Sequence, residues 1–225
     1  MRDSHILRAY DEALATLTAR LVAMGDGAAE MVAEAGVAFR SGDQGSARAI
    51  IARDLVIDRE QEEINREVVN AIARYQPIAI DLRKILAIEH MAANVERVAD
   101  HAKSIAKRAI ANGDSRPSPA VGPLLEQLHQ TTLDSLRQAL RALRREDPEA
   151  AQPIVQRDDR IDALYDDLFH AAVAELRAGS DHALGDVQAL FVGKSLERIG
   201  DHATNIAEEI RFMTLGEHPP ATRNA

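Results

Sequence analysis

The chain is 225 residues long, carries a net charge of -9, and contains neither cysteine nor tryptophan. That length holds one large domain or two small ones with a real core, and the missing cysteines exclude disulfides and thiolate metal sites. The negative charge argues against nucleic acid, whose phosphates reward a basic surface, and against direct binding of anionic lipid or free phosphate.

Aromatic residues make up 3% of the chain, while alanine, leucine, arginine and glutamate abound. Helix formers dominate and strand formers are scarce, so the expected class is all-α. No apolar run reaches the roughly eighteen residues of a membrane span. The opening "MRDSHILRAYDEA" lacks the layout of a signal peptide. With no cysteine, a cytoplasmic location is expected.

Turn signals cut the chain into six long helical segments. The first ends near Arg40 at "RSGDQGS", and is interrupted by Gly25 and Gly27, where a second helix can pack closely. The second ends near Tyr75, because Pro77 pushes the residue before it out of helical geometry. Pro77 itself suits the first turn of the third helix, where a missing N–H costs nothing. "ANGDSRPSPAVGP", residues 111–123, reads as a linker. "REDPEA" divides the fourth helix from the fifth, with Asp147 as N-cap and Pro148 as the first helical residue. "RAGSD" divides the fifth from the sixth, with Gly179 past the helix end and Ser180 or Asp181 as cap.

The organisation is therefore three helices, a linker, and three more helices, each about thirty residues or roughly 45 Å long. Short connections make neighbours antiparallel and each half a three-helix bundle. The expected division is residues 1–113, a linker over 114–123, and residues 124–225. Apolar stripes agree: Ile50, Ile57, Ile64, Val68 and Ile72 on the second helix; Val95, Val98, Ala102, Ile105 and Ala109 on the third.

The halves are internal copies. "VERVADHAKSIAKR" (95–108) returns as "LERIGDHATNIAEE" (196–209), identical at seven of fourteen positions. "RDLVIDREQEEI" in the second helix likewise resembles "RDDRIDALYDDL" in the fifth. Each copy thus carries Asp54, Asp58 and Glu62, or Asp158, Asp162 and Asp166, at spacings of four, and opposite them Glu96/Asp100 or Glu197/Asp201.

Residues four apart share a helix face. Counting from Val95, Glu96 and Asp100 fall about 100° and 140° round the helix, on the flank of the apolar stripe. Arg97 and His101 lie still further round, and His202 matches His101, so the histidines point away from the carboxylates. Two like charges so placed disfavour a helix by about 0.2–0.5 kcal/mol, and a cation reverses the sign. Lys103 and Lys107 relieve the repulsion in the first copy; Thr204 and Glu208 replace them in the second. One pair is too few for a hard ion, but Asp54/Asp58 facing Glu96/Asp100 supply four carboxylates, and Asp158/Asp162 facing Glu197/Asp201 do the same. Oxygen ligation favours Mg, Ca, Mn or Fe, and a histidine would admit Zn. Against this stands the plainer reading of a solvated acidic face, which the recurrence of Glu-Arg-x-x-Asp-His in both copies disfavours.

Other motifs carry less. "GKS" at Gly193 lacks the earlier glycine of a phosphate loop, having Gln188 there, and sits inside a helix. "GDGAAE" at Gly25 lacks the third glycine of a dinucleotide fingerprint. Glu126-x-x-His129 has di-iron spacing but occurs once in that form, with Asp167-x-x-His170 its nearest second copy. His5, His90, His182 and His218 read as surface or boundary residues.

"VERVADHAKSIAK" and "LERIGDHATNIAE", with "RYQPIAIDLRKILA" ahead of the first, resemble the PhoU family of phosphate-signalling proteins over essentially the whole chain. The resemblance implies two similar three-helix bundles with multinuclear clusters of divalent or trivalent metal (Fe, Zn, Mn or Mg) on the bundle surface. Carried over, the ligands are Glu96/Asp100 and Glu197/Asp201, with Asp54/Asp58 and Asp158/Asp162 as acidic partners. It implies a non-enzymatic negative regulator of phosphate uptake and phosphate-starvation signalling. The implied partners are the ATPase subunit of the phosphate ABC transporter, a phosphate sensor histidine kinase and a second copy as homodimer. The membrane would be reached only through those partners. The second copy departs from the pattern, with Gly-Ser-Asp-His in place of the Gln-Pro entry. Two other readings are a ferritin-like di-metal redox or hydrolytic enzyme, which needs carboxylates on the apolar stripe, and a purely structural helical dimer.

Overall fold

The computed structural model describes the backbone of residues 2–155 and 158–216 and the side chains of residues 8–154 and 159–216. Its helices are α1 (Arg2–Ser41), α2 (Gln44–Tyr75), α3 (Ile80–Asn112), α4 (Gly122–Arg145), α5 (Pro148–Val155), α6 (Asp158–Arg177) and α7 (Ala183–Leu215). The fifth expected helix corresponds to the two stretches α5 and α6. Among the described residues there is no strand, and no helix is long and apolar enough to cross a membrane. The class is all-α.

Local chemistry sets most of the boundaries. Asp43 caps α2, its Oδ1 accepting from the Gly45 and Ser46 amides at 2.9 and 3.1 Å. Asp147 caps α5 in the same way, accepting from the Glu149 and Ala150 amides at 3.1 and 3.0 Å. Gly179, at φ +74°, follows the end of α6.

Two expected starts move. Pro77 does not open α3: Gln76 turns left-handed at φ 49° and donates its amide to the Ile72 carbonyl, and α3 begins at Ile80. Excluded from helical geometry by the proline, Gln76 ends α2, and three further residues reverse the chain before α3 can run antiparallel. Nor does Ser180 or Asp181 cap α7. The Ser180 hydroxyl is used within the turn, accepting from the His182 amide at 3.1 Å, and His182 occupies the cap position without a side-chain bond.

α1, α2 and α3 pack mutually, as do α4, α6 and α7, with α5 set against α4 and α7. The halves are joined by α3 against α7 and by α1 against α4. Leu17, Leu21, Met31, Phe39, Ile50, Ile64, Ile85, Ile88, Met91 and Ile105 fill the first half, and Leu128, Leu136, Leu164, Leu168, Leu196 and Ile206 the second. The predicted stripes are buried, Ile72 only partly. Gly25 lets α1 approach α4, for a Cβ there would overlap Leu140.

Pairings between α3 and α7 step in opposite directions along the two helices. Arg83 lies against Gly216, His90 meets Glu209 at 3.2 Å, Asn94 meets His202 and Asn205, and the Arg108 guanidinium covers the Phe191 ring at 4.1 Å. The two helices are antiparallel along their whole length. In this register the pair Glu96/Asp100 and the pair Glu197/Asp201 stand at one level, near the middle.

The linker grips three helix ends. Arg116 donates to the Gly113, Ser115 and Ser41 carbonyls, at the C-terminal ends of α3 and α1. Its own carbonyl meets His182 Nδ1 at 3.1 Å, and the Ser118 amide donates to the buried Asp186 at 2.7 Å, both at the start of α7. Gly185 has no room for a side chain, because a Cβ would meet the Arg116 carbonyl and come within 2.8 Å of the Pro117 nitrogen.

Candidate functional site

The first acidic site lies between α2 and α3. Glu96 and Asp100 sit on the flank of α3, with side chains 21% and 34% exposed. Facing them on α2 are Asp58, half-buried, and Asp54, which is 1% exposed. Asp54 departs from the expected flank position. It lies between Ile50 and Ile57 at the spacing of the apolar stripe, so the helix carries it inward. Its burial is met by Lys103 of α3, whose ammonium donates to Asp54 Oδ2 and to Asp100 Oδ1, the latter at 3.3 Å. The other oxygen, Asp54 Oδ1, is buried with no hydrogen-bond partner, so its lost hydration is not replaced by a donor.

The second site lies between α6 and α7. Glu197 and Asp201 occupy the matching flank of α7, 14% and 25% exposed, and Asp162 of α6 faces them from a more exposed position. Glu197 Oε2 is a second buried carboxylate oxygen without a hydrogen-bond partner. Asp158 opens α6, and its side chain lies outside the described residues. Two glycines let the helices close: a Cβ at Gly200 would stand 2.8 Å from Ile161 Cδ1, and one at Gly193 would overlap Leu168. In the sequence these glycines show only as a Gly-x6-Gly spacing inside a helix.

Electrostatics mark both rows as crowded. Burial, and then the neighbouring Asp54, pushes the Asp58 carboxyl above its ordinary range. Burial and Asp100 do the same to Glu96, and burial with Glu197 and Asp201 to Asp162. A raised carboxyl means that the anion is penalised where it stands. Arg97 partly answers, at 3.3 Å from both Glu96 and Asp100, as does Arg198 at 3.1 Å from Asp201.

His101 and His202 turn away from the carboxylates and meet each other between α3 and α7, ring centroids 5.7 Å apart. Burial lowers both, His202 to about 4, so both stay neutral near pH 7. Glu126 and His129 form no metal pair. His129 Nε2 donates to the Val32 carbonyl at 3.1 Å, Arg40 lies 3.2 Å from its Nδ1, and Glu126 pairs with the same arginine at 4.0 Å.

The PhoU domain family model matches this chain twice, over residues 21–109 and 125–210. The chain belongs to the PhoU family. It is 37% identical to a Rhizobium meliloti protein named phosphate-specific transport system accessory protein PhoU homolog, covering 99% of this chain and 94% of that one. A Caulobacter vibrioides protein of the same name is 35% identical, with 97% and 95% covered. Among solved structures, PhoU from Pseudomonas aeruginosa superposes with a TM-score of 0.88 at 29% identity, over 92% of this chain and all of that one. A phosphate transport system regulatory protein PhoU from Streptococcus pneumoniae gives 0.86 at 26% identity, over 94% and 99%.

The two matched segments enclose Asp54, Asp58, Glu96 and Asp100 in one copy and Asp158, Asp162, Glu197 and Asp201 in the other. Among the described residues no three acidic or histidine side chains converge as a ready-made coordination shell; lysine and arginine groups stand among them instead. The donor chemistry nonetheless fits a hard cation. Each site offers carboxylate oxygens from two helices and one buried carboxylate oxygen lacking a donor.

Proposed function

We propose that this PhoU-family protein is a non-enzymatic negative regulator of phosphate uptake and phosphate-starvation signalling. It acts as a cytoplasmic adaptor between the phosphate ABC transporter, through its ATPase subunit, and a sensor histidine kinase, and works as a homodimer. The observation that carries this reading is the full-length match, in both repeats, to proteins named as phosphate-specific transport accessory proteins.

The acidic sites would hold metal. Asp54, Asp58, Glu96 and Asp100 would serve one cluster, and Asp158, Asp162, Glu197 and Asp201 the other. A bound cation would supply positive charge between two helices that otherwise carry opposed carboxylates, and would tie α2 to α3 and α6 to α7. Orphaned oxygens on Asp54 and Glu197 support this. A ferritin-like enzyme is disfavoured, because the Glu126/His129 pair is engaged by Arg40 and Val32 and most of the candidate carboxylates lie on helix flanks.

The test has two arms. Elemental analysis of the undialysed protein should find iron, zinc, manganese or magnesium, falling sharply in the variant Glu96→Gln, Asp100→Asn, Glu197→Gln, Asp201→Asn. Unchanged metal content would refute the site. Separately, the protein should bind the transporter's ATPase subunit or the kinase in a purified pull-down, and retention of neither would refute the adaptor role.

A further inference from the structure

The two acidic sites are not equivalent: Lys103 in the first stands where the second has Thr204, and Lys194 in the second stands where the first has Ala93. In the first, Lys103 reaches from α3 across to α2 and bridges Asp54 and Asp100. Its side chain is 26% exposed and its ammonium is engaged by carboxylates of both helices. It thus already performs what a metal ion would do there, carrying positive charge between Asp54 on one helix and Asp100 on the other.

One repeat later the equivalent residue is Thr204, which has no charge. The cations near the second site are of another kind. Lys194 bonds Glu197 at 2.8 Å and Arg198 bonds Asp201 at 3.1 Å, each within α7 and three residues apart. Their side chains are 45% and 53% exposed. Cations this exposed are screened by solvent and weakly held, although Glu197 and Asp201 themselves are 14% and 25% exposed. Glu197 Oε2 meanwhile is buried without a hydrogen bond, with Arg198 Nε 3.8 Å away.

An ammonium and a hard metal ion compete for the same carboxylate oxygens and repel each other at close range. We propose that Lys103 is a resident counter-cation of the first site, so that the two sites fill in order: the second binds a hard divalent ion first, and the first binds only as Lys103 is displaced. This rests on the metal reading above and adds the ranking of the sites and the residue that sets it.

The test titrates chelator-stripped, full-length protein with Mn2+, counting free ion by its electron paramagnetic resonance signal. Wild type should bind in a tight and a weak phase. Glu197→Gln with Asp201→Asn should remove the tight phase and leave the weak one. Lys103→Met, which keeps the apolar stem, should tighten the weak phase at least tenfold and leave the tight phase alone. Lys103→Gln is a second variant should the methionine form prove unfolded by circular dichroism. A single phase with equal sites in wild type, or a weak phase that neither Lys103 variant moves, overturns the ranking while leaving metal binding intact. No Mn2+ bound by wild type or by either Lys103 variant overturns the metal reading, and the ranking with it.

Discussion

The imidazole of His129, on α4, lies against Gly36 of α1 so closely that a Cβ on the glycine would stand 2.7 Å from the ring's Cδ2 and closer still to two other ring atoms. The contact joins the two halves. Gly36→Ala should therefore displace the ring, break its bonds to Val32 and Arg40, and destabilise the protein by about 1–3 kcal/mol. Urea unfolding curves of the two proteins measure this directly.

The same histidine gives a pH dependence. Nε2 donates to the Val32 carbonyl and Nδ1 faces the Arg40 guanidinium, so a second proton would sit against a cation. Burial, partly offset by the Val32 bond, lowers the pKa below the ordinary 6.5. The unfolded chain then takes up the proton before the folded one. The stability contributed is complete above 6.5 and is lost as pH falls from there towards the folded pKa. His101 and His202 add slopes of the same sign. Comparing wild type with His129→Gln between pH 7.5 and 5 isolates the share of His129, and the variant should show the shallower loss.

At the linker, Gly185→Ala has no relaxed solution, because the obstacle is the backbone of Arg116 and Pro117 and not a side-chain tip. A loss of about 3 kcal/mol or more is expected. Asp186→Ala strands the buried Ser118 amide and should lose about 1–3 kcal/mol. Hydrogen exchange at Ser118 should accelerate in the second variant, while amides in the middle of α2 keep their protection.

Gly200→Ala acts on the second site without touching a carboxylate. Its new methyl would press on Ile161 and push α6 from α7, at about 1–3 kcal/mol. If Asp162 serves with Glu197 and Asp201, metal retained by the second repeat should fall in this variant, as read by elemental analysis in a Glu96→Gln, Asp100→Asn background.

Much of the architecture was written in short-range chemistry. Asp147 is a cap by residue type, Tyr75 precedes a proline-induced stop, and the stripes through Ile50 and Val95 need only a period of 3.6 to be seen. The acidic rows followed from repetition. What escaped was whatever depends on a neighbour distant in sequence. Asp54 stands on the stripe between Ile50 and Ile57, which is a sequence signal for an inward carboxylate; its partner Lys103 is 49 residues away and can be assigned only once α2 and α3 are docked. Pro77 misled because a helix can start at a proline or after it, and the choice depends on how far the chain must travel to reverse. His129 shows in the sequence only as half of an isolated Glu-x-x-His spacing, because its partners Val32 and Arg40 belong to the other half of the molecule.

The segment from Asp114 to Val121 has the composition of slack chain, yet it is stitched to Ser41, Gly113 and Asp186. Here an added or deleted residue would strain three helix ends together, so the joint behaves as a clamp that couples the two repeats mechanically.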